Sequence, residues 1–291
     1  MKNILNYYYG MIVDKVSDEG YFSYNNHLFC LVNYQRNIDE IESLVLLNNY
    51  MLSNNIKINK IIPNNYNEIL TYHEGKYYCL LLIKYEGIGS SFHFIPIINN
   101  PKLDILKRNK WAYLWSMKID YVEYQVKHIR KKYPIINNSV EYYIGLSENA
   151  ISYFKMLVLD NIPLYIGHRR INKNKMYNPL ELVIDYKVRD ISEYIKQVFF
   201  KKEKAIYEIK QFINSLNLNN MDYILLYCRL LFPSYYFDIY DKIIKGELED
   251  DGLIRITDLV NDYEELLYNV YLIIKRKTNI LGIDWINSKF M

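Results

Sequence analysis

Residues 165–195 read YIGHRRINKNKMYNPLELVIDYKVRDISEYI. An apolar run (Leu164, Tyr165, Ile166) delivers His168 into a polar, basic loop, and a second apolar run (Leu182, Val183, Ile184) delivers Asp185. Short apolar runs bounded by polar turn residues read as strands. Asp190, with Glu193 three residues on, reads as a capping box at the start of a helix, worth on the order of 1 kcal/mol. One histidine and one carboxylate therefore stand at the ends of two successive short strands, with Arg169 and Arg170 between them.

Upstream, residues 1–97 read mainly as strands. Tyr21-Phe22-Ser23-Tyr24, a turn at Asn25-Asn26 and the apolar run from His27 to Val32 form a hairpin. Asn37 with Glu40 is a helix-start signature, and Ile41, Leu44, Leu47 and Met51 recur at helical spacing. A second hairpin is expected around His73-Glu74-Gly75-Lys76, and Gly87 and Gly89 would supply a hinge. Beyond Pro101 the pattern is helical: 105–133, stopped before Pro134, then 140–159, and after the strand pair 191–201, 205–216, 221–231, 235–244 and 259–277. The expected domains are a β-rich lobe, 1–97, and a helical lobe, 98–291. No repeat or low-complexity linker separates them.

The composition is that of a folded chain: 291 residues, 51% hydrophobic and 24% charged, with a formal net charge of +3. The charge is spread along the chain, which gives no footprint for nucleic acid. The one basic run, His128-Ile129-Arg130-Lys131-Lys132, falls at an expected helix end, where cations suit the dipole. Cys30, Cys79 and Cys228 lie far apart in apolar segments, which excludes the usual zinc spacing and argues against a disulfide framework. The opening MKNILNYYYG is too polar for a signal peptide, no apolar run is long enough to span a bilayer, and a cytoplasmic chain is expected.

The chain holds 32 tyrosines. Asn, Ile, Lys and Tyr are abundant together, as an A/T-rich coding sequence would produce. The other reading is adhesion or oxidative cross-linking through surface clusters, for which Tyr7-Tyr8-Tyr9, Tyr142-Tyr143 and Tyr235-Tyr236 are the candidates.

Four passages carry a family resemblance: Trp115-Ser116-Met117-Lys118-Ile119-Asp120; Tyr142 to Ile151, containing Gly145-Leu146-Ser147-Glu148-Asn149-Ala150; Asp185-Tyr186 with Arg189-Asp190-Ile191-Ser192-Glu193; and Arg229-Leu230-Leu231-Phe232-Pro233. Together they make the chain resemble the bacterial spore-coat kinase-like proteins of the CotS and YutH type, above all YutH, within the aminoglycoside phosphotransferase-like superfamily. The resemblance implies an α+β, bilobal protein-kinase-like fold, a small β-rich N-lobe followed by a large helical C-lobe. It also implies synthesis in the mother cell, a place in the spore coat and coat proteins as partners.

Against that family's chemistry, the chain looks degenerate. Phosphoryl transfer needs a backbone cradle and a Lys for the phosphates, acids for Mg²⁺ and a base for the acceptor hydroxyl. The first hairpin offers only Gly20, beside Asp18 and Glu19, and the phosphate Lys expected near Val32 or Asn33 is absent. Glu40 stands where that Lys would find its acid, but reads as a helix cap. The catalytic loop, His-Gly-Asp in the family, reads His168-Arg169-Arg170, so Arg170 holds the place of the base, and a guanidinium cannot accept a proton. The metal-binding Asn falls near Lys175, with Asn172, Asn174 and Asn178 as misaligned substitutes. Asp185 alone is retained, either for residual Mg-nucleotide binding or as a structural acid paired with Arg169 or Arg170. The expectation is a pseudokinase with no cofactor, acting in coat assembly through binding surfaces. The alternatives left open are an active ATP-dependent small-molecule phosphotransferase with displaced groups, or a nucleotide or anion sensor.

Overall fold

In the computed structural model, residues 1–87, 94–97, 100–159, 161–172, 175–201 and 205–291 are described. The chain divides into two compact units that are not continuous in sequence. The first comprises 1–93, 97–107 and 166–184; the second comprises 94–96, 108–165 and 185–291.

The first unit is built on an antiparallel sheet. Strands β1 (Tyr21–Tyr24) and β2 (His27–Tyr34) form the expected hairpin, with Asn25 (φ 47°) and Asn26 (φ 62°) both left-handed, as a tight two-residue turn requires. Helix α2 (Ile41–Ser53) follows, then β3 (Lys60–Ile62), β4 (Thr71–His73) and β5 (Lys76–Ile83). The sheet order is β1-β2-β5-β3, with β4 also paired to β5. The second hairpin turns through Glu74 (φ 48°) and Gly75 (φ 79°). Strands β6 (Tyr165–His168) and β7 (Leu182–Asp185) pair separately.

In the first unit, two elements depart from the sequence expectation. Residues 1–97 are not all strand and α2: the chain opens with helix α1 (Lys2–Tyr9), closed by left-handed Gly10. Its Ile4, Leu5 and Tyr9 pack on Phe22, Phe29, Leu31 and Leu80 of the sheet. Three consecutive tyrosines disguise the helix, because aromatic residues read as strand formers. Strand β3 was also missed. It is fixed non-locally: the buried Asn48 amide on α2 donates to the Asn59 carbonyl at 2.8 Å and accepts from the Ile61 N–H at 3.1 Å.

The second unit is helical. It contains α3 (Trp111–Ile129), α4 (Pro134–Lys155), α5 (Arg189–Lys201), α6 (Ala205–Ser215), α7 (Asn220–Leu231), α8 (Ser234–Ile244), α9 (Ile254–Asp258), α10 (Val260–Lys275) and α11 (Asp284–Phe290). The stretch expected as helix from 105 is a 3-10 turn (Pro101–Leu106) before α3 begins at Trp111. Pro134 opens α4 at its first turn, six residues earlier than expected, a position where the missing N–H costs nothing. The basic run begins in the last turn of α3, which carries Lys127 and His128. Gly87 adopts φ 104°, while Gly89 lies outside the described residues. Among the described residues no helix is long and apolar enough to cross a membrane.

Candidate functional site

In the first unit, β6 ends at His168 and the loop after it is pinned by its own backbone. The Arg169 N–H donates to the Glu181 carbonyl at 2.8 Å, and Lys175 pairs with Glu181 at 3.1 Å. Arg170 donates to the Arg169 carbonyl at 2.7 Å. Asn178 accepts from the Leu180 N–H at 2.9 Å and so caps a short turn, while Asn174 lies outside the described residues.

Arg36 is a residue the sequence reading missed. Its Nε donates to Glu40 at 2.5 Å, and its Nη1 donates to the carbonyls of Leu180 and Leu182, each at 2.8 Å. Burial pulls this guanidinium down from its ordinary range, and the Glu40 carboxylate opposes that. Glu40 is therefore not a cap, and it does have a partner: it sits at the N-cap of α2 with no side-chain capping bond and neutralises a cation four residues earlier. The Arg36/Glu40 spacing at i, i+4 was the available signal. Arg36 and Glu40 spend their charges fixing the turn before β7 to the start of α2.

Gly20 is required by packing. It adopts φ 91°, and a Cβ there would stand 2.3 Å from the Leu31 carbonyl oxygen. Its own carbonyl accepts from the Leu31 N–H at 3.0 Å. The glycine lets two backbones meet, which is independent of any phosphate.

In the second unit, Asp185 is completely buried. The Trp111 indole N–H lies 2.9 and 3.1 Å from its two oxygens, the Tyr186 N–H donates at 2.8 Å, and Arg189 Nη1 donates at 2.5 Å. The cation on Asp185 is thus Arg189, not Arg169 or Arg170. A carboxylate has room for about four donors, and protein groups already crowd this one.

The surroundings of Asp185 are an aromatic and ionic cluster. Trp111 stacks on Trp115 (5.3 Å, 24°), and Trp115 stacks on Phe232 (4.6 Å, 5°). The Arg229 guanidinium lies 5.2 Å from the Trp111 ring and 5.8 Å from the Trp115 ring. It also reaches Glu193 at 3.2 Å. Lys196 is buried beside them, donating to the Arg229 and Phe232 carbonyls at 2.9 Å and to Ser234 Oγ at 3.1 Å.

Asp190 and Glu193 do not make the expected capping box. The Val188 carbonyl accepts from the Ser192 N–H, so Val188 is the cap position and Asp190 lies one residue inside the first turn, where its charge suits the helix dipole. Glu193 is buried on Arg229. Among the described residues no group of three or more His, Cys, Asp or Glu side chains is placed to hold a metal ion. As Asp185 is placed, both of its oxygens accept from Trp111, and Tyr186 N–H and Arg189 take one each.

Of the tyrosine pairs offered as surface candidates, Tyr143 and Tyr236 are buried, and Tyr142 and Tyr235 are half-buried against them. Tyr143 and Tyr236 stack at 3.8 Å, and burial raises the pKa of both phenols. Tyr142 donates to buried Glu264 at 2.7 Å, and Tyr235 packs on Tyr263 at 4.9 Å.

The chain matches the family described as spore coat putative kinase YutH over residues 2–267. It is 30% identical over 155 residues to the endospore coat-associated protein YutH of Bacillus subtilis strain 168. That alignment covers 46% of each chain, about half the length of the relative. Among solved structures it is similar to the AMP-bound complex of a spectinomycin phosphotransferase, with TM-score 0.59 and 10% identity, covering 93% of this chain and 96% of that one. It is also similar to an aminoglycoside phosphotransferase from Alicyclobacillus acidocaldarius, with TM-score 0.61 and 8% identity, covering 92% and 94%. Identities this low speak for the fold alone: an α+β, aminoglycoside phosphotransferase-like architecture with a small antiparallel sheet and a large helical region.

Proposed function

Because this chain belongs to the spore coat putative kinase YutH family, we propose that it is a kinase-like protein of the endospore coat that acts through binding surfaces and not by phosphoryl transfer. The observation that carries this reading is the state of Asp185. The one acid retained from the phosphotransferase pattern is fully buried and shared among Trp111, the Tyr186 N–H and Arg189. Mg²⁺ keeps near-ideal octahedral oxygen ligands, and this carboxylate is instead a counter-ion within the helical core.

Three further features support it. Arg170 stands in the place of the base, and a guanidinium stays protonated. The Arg36 guanidinium beside α2 is taken up by Glu40 and two carbonyls. Gly20 serves backbone packing. The protein would be made in the mother cell and carried into the coat, with coat proteins as its partners.

The test is thermal unfolding and titration calorimetry with ATP, ADP and AMP, with and without Mg²⁺. Nucleotide at about 100 times its dissociation constant would stabilise the native state by roughly 2.7 kcal/mol. No shift and no heat are expected. A Mg²⁺-dependent shift would restore the phosphotransferase reading. A Mg²⁺-independent shift lost in Arg169→Ala or Arg170→Ala would instead make the chain a nucleotide or anion sensor. For the coat role, a fluorescent fusion in sporulating cells is expected to ring the developing spore, and diffuse mother-cell fluorescence would count against it.

A further inference from the structure

Helix α3 carries two apolar faces where a surface helix needs one. Trp111, Trp115, Ile119, Val122 and Val126 are buried in the second unit. The other face is open to solvent: Leu114, Met117, Tyr121 and Tyr124 are 37%, 53%, 51% and 66% exposed, with exposed His128 one step further on. Positions 114, 117, 121, 124 and 128 advance by three and four residues in turn, the a and d spacing of a helix–helix seam. Exposed apolar residues scattered singly need no account, but a continuous stripe along one helix does. Among the described residues, every other helix presents at most two large apolar side chains to solvent.

The stripe is held in shape by its own neighbours. Gln125 Nε2 donates to the Tyr121 hydroxyl at 2.7 Å, and the Tyr240 hydroxyl on α8 reaches Gln125 Oε1 at 3.3 Å. Tyr124 stands edge-on to His128 at 5.1 Å. Aromatic side chains fixed in this way lose little entropy on docking. One edge of the stripe is already neutral, because Lys118 is paired with Asp241 at 2.5 Å. On the other edge Asp120 and Lys127 are exposed and have no ion-pair partner among the described residues. They stand two turns apart, about 10 Å along the axis, too far to neutralise each other. Each therefore needs an opposite charge brought from outside the helix.

We propose that this face of α3 is a dimer seam, occupied by α3 of a second copy of the chain running antiparallel across a two-fold axis. The charge pattern selects this occupant. With the axis between Val122 and Glu123, Tyr121 of one copy meets Tyr124 of the other and Met117 meets His128. The same register sets Asp120 against Lys127, and the two-fold makes that pair occur twice, so the edge neutralises itself. A parallel pairing would instead set Asp120 against Gln125 and leave Lys127 beside the basic residues that follow α3. The antiparallel pair also opposes the two helix dipoles. The proposal stands on α3 alone and holds whether or not the chain binds nucleotide.

The experiment is sedimentation equilibrium of the purified full chain over a range of concentrations. The expected result is a reversible monomer–dimer equilibrium. Met117→Glu and Tyr124→Glu should each leave a monomer, and because both positions are exposed, circular dichroism should show the fold unchanged. Asp120→Lys or Lys127→Asp alone should weaken the dimer by about tenfold or more, since each places two like-charge contacts in the seam. The double reversal, Asp120→Lys with Lys127→Asp, should restore it. A chain that stays monomeric throughout, its α3 face taken by another protein or by none, would overturn the proposal. So would a dimer indifferent to Met117→Glu and Tyr124→Glu, or charge reversals that fail to compensate each other.

Discussion

The indole N–H of Trp111 donates to both carboxylate oxygens of Asp185, at 2.9 and 3.1 Å, across 74 residues of chain. With Arg189 on the same carboxylate, the pair forms the polar centre of a stacked aromatic cluster that reaches Trp115 and Phe232. Removing the indole donor in Trp111→Phe leaves a buried charge one partner short, which costs about 1–3 kcal/mol or more. Asp185→Ala leaves Arg189 buried without this carboxylate and is expected to cost about 3–5 kcal/mol. Urea unfolding measures both. An Asp185 variant as stable as wild type would show that the acid is not structural.

Arg36 makes a planar fork to Glu40 and to the carbonyls of Leu180, in the turn before β7, and Leu182, at its start. Arg36→Ala should destabilise by about 3–5 kcal/mol, because Glu40 is left buried without this cation. Arg36→Lys should recover little of that, since an ammonium cannot reproduce the fork. The readout is the melting temperature of the two variants side by side. Full rescue by Lys would reduce the site to a simple charge pair.

Gly20→Ala puts a methyl group 2.3 Å from the Leu31 carbonyl oxygen at φ 91°. Backbone strain of this kind costs of order 1–3 kcal/mol. The melting temperature should fall equally with and without nucleotide. A loss seen only as weakened nucleotide affinity would return Gly20 to a phosphate cradle.

Alkaline pH should unfold the protein sharply. Burial pushes the phenols of Tyr9 and Tyr34 up to about 12, and it also raises those of Tyr143, Tyr227 and Tyr263. A phenol with a raised folded pKa contributes stability that is fully present below about pH 10 and lost as pH rises towards its folded value. At ~1.4 kcal/mol per pKa unit, Tyr9 alone accounts for roughly 2–3 kcal/mol of the fall. Stability measured by urea from pH 9 to 12 should drop steeply, and less steeply in Tyr9→Phe. A flat profile would contradict the burial of these hydroxyls.

Much of the fold could be read locally. Asn25-Asn26 and Gly75 marked their hairpins because left-handed backbone selects Asn and Gly, and both turns are present. The apolar runs before His168 and Asp185 marked β6 and β7. Helix α1 was hidden because Tyr7-Tyr8-Tyr9 carries strand-like residues on a helix that only the sheet beneath it stabilises. The start of α4 was misplaced because Pro134 can end one element or begin another with equal local sense.

The residues by themselves determined the α+β phosphotransferase-like class, the spore-coat family and the absence of an acid at position 170. These depend on identity, spacing and local backbone preference, which one chain carries in linear form. Only the tertiary structure decided what the surviving charged groups touch. It gave Asp185 to Trp111 and Arg189, Glu40 to Arg36, and Glu193 to Arg229, and it sent Tyr143 and Tyr236 to the core while leaving Tyr7 and Tyr66 outside. The physical reason is that a buried charge must find its partner wherever packing brings one, and partners far apart in sequence leave no spacing to read.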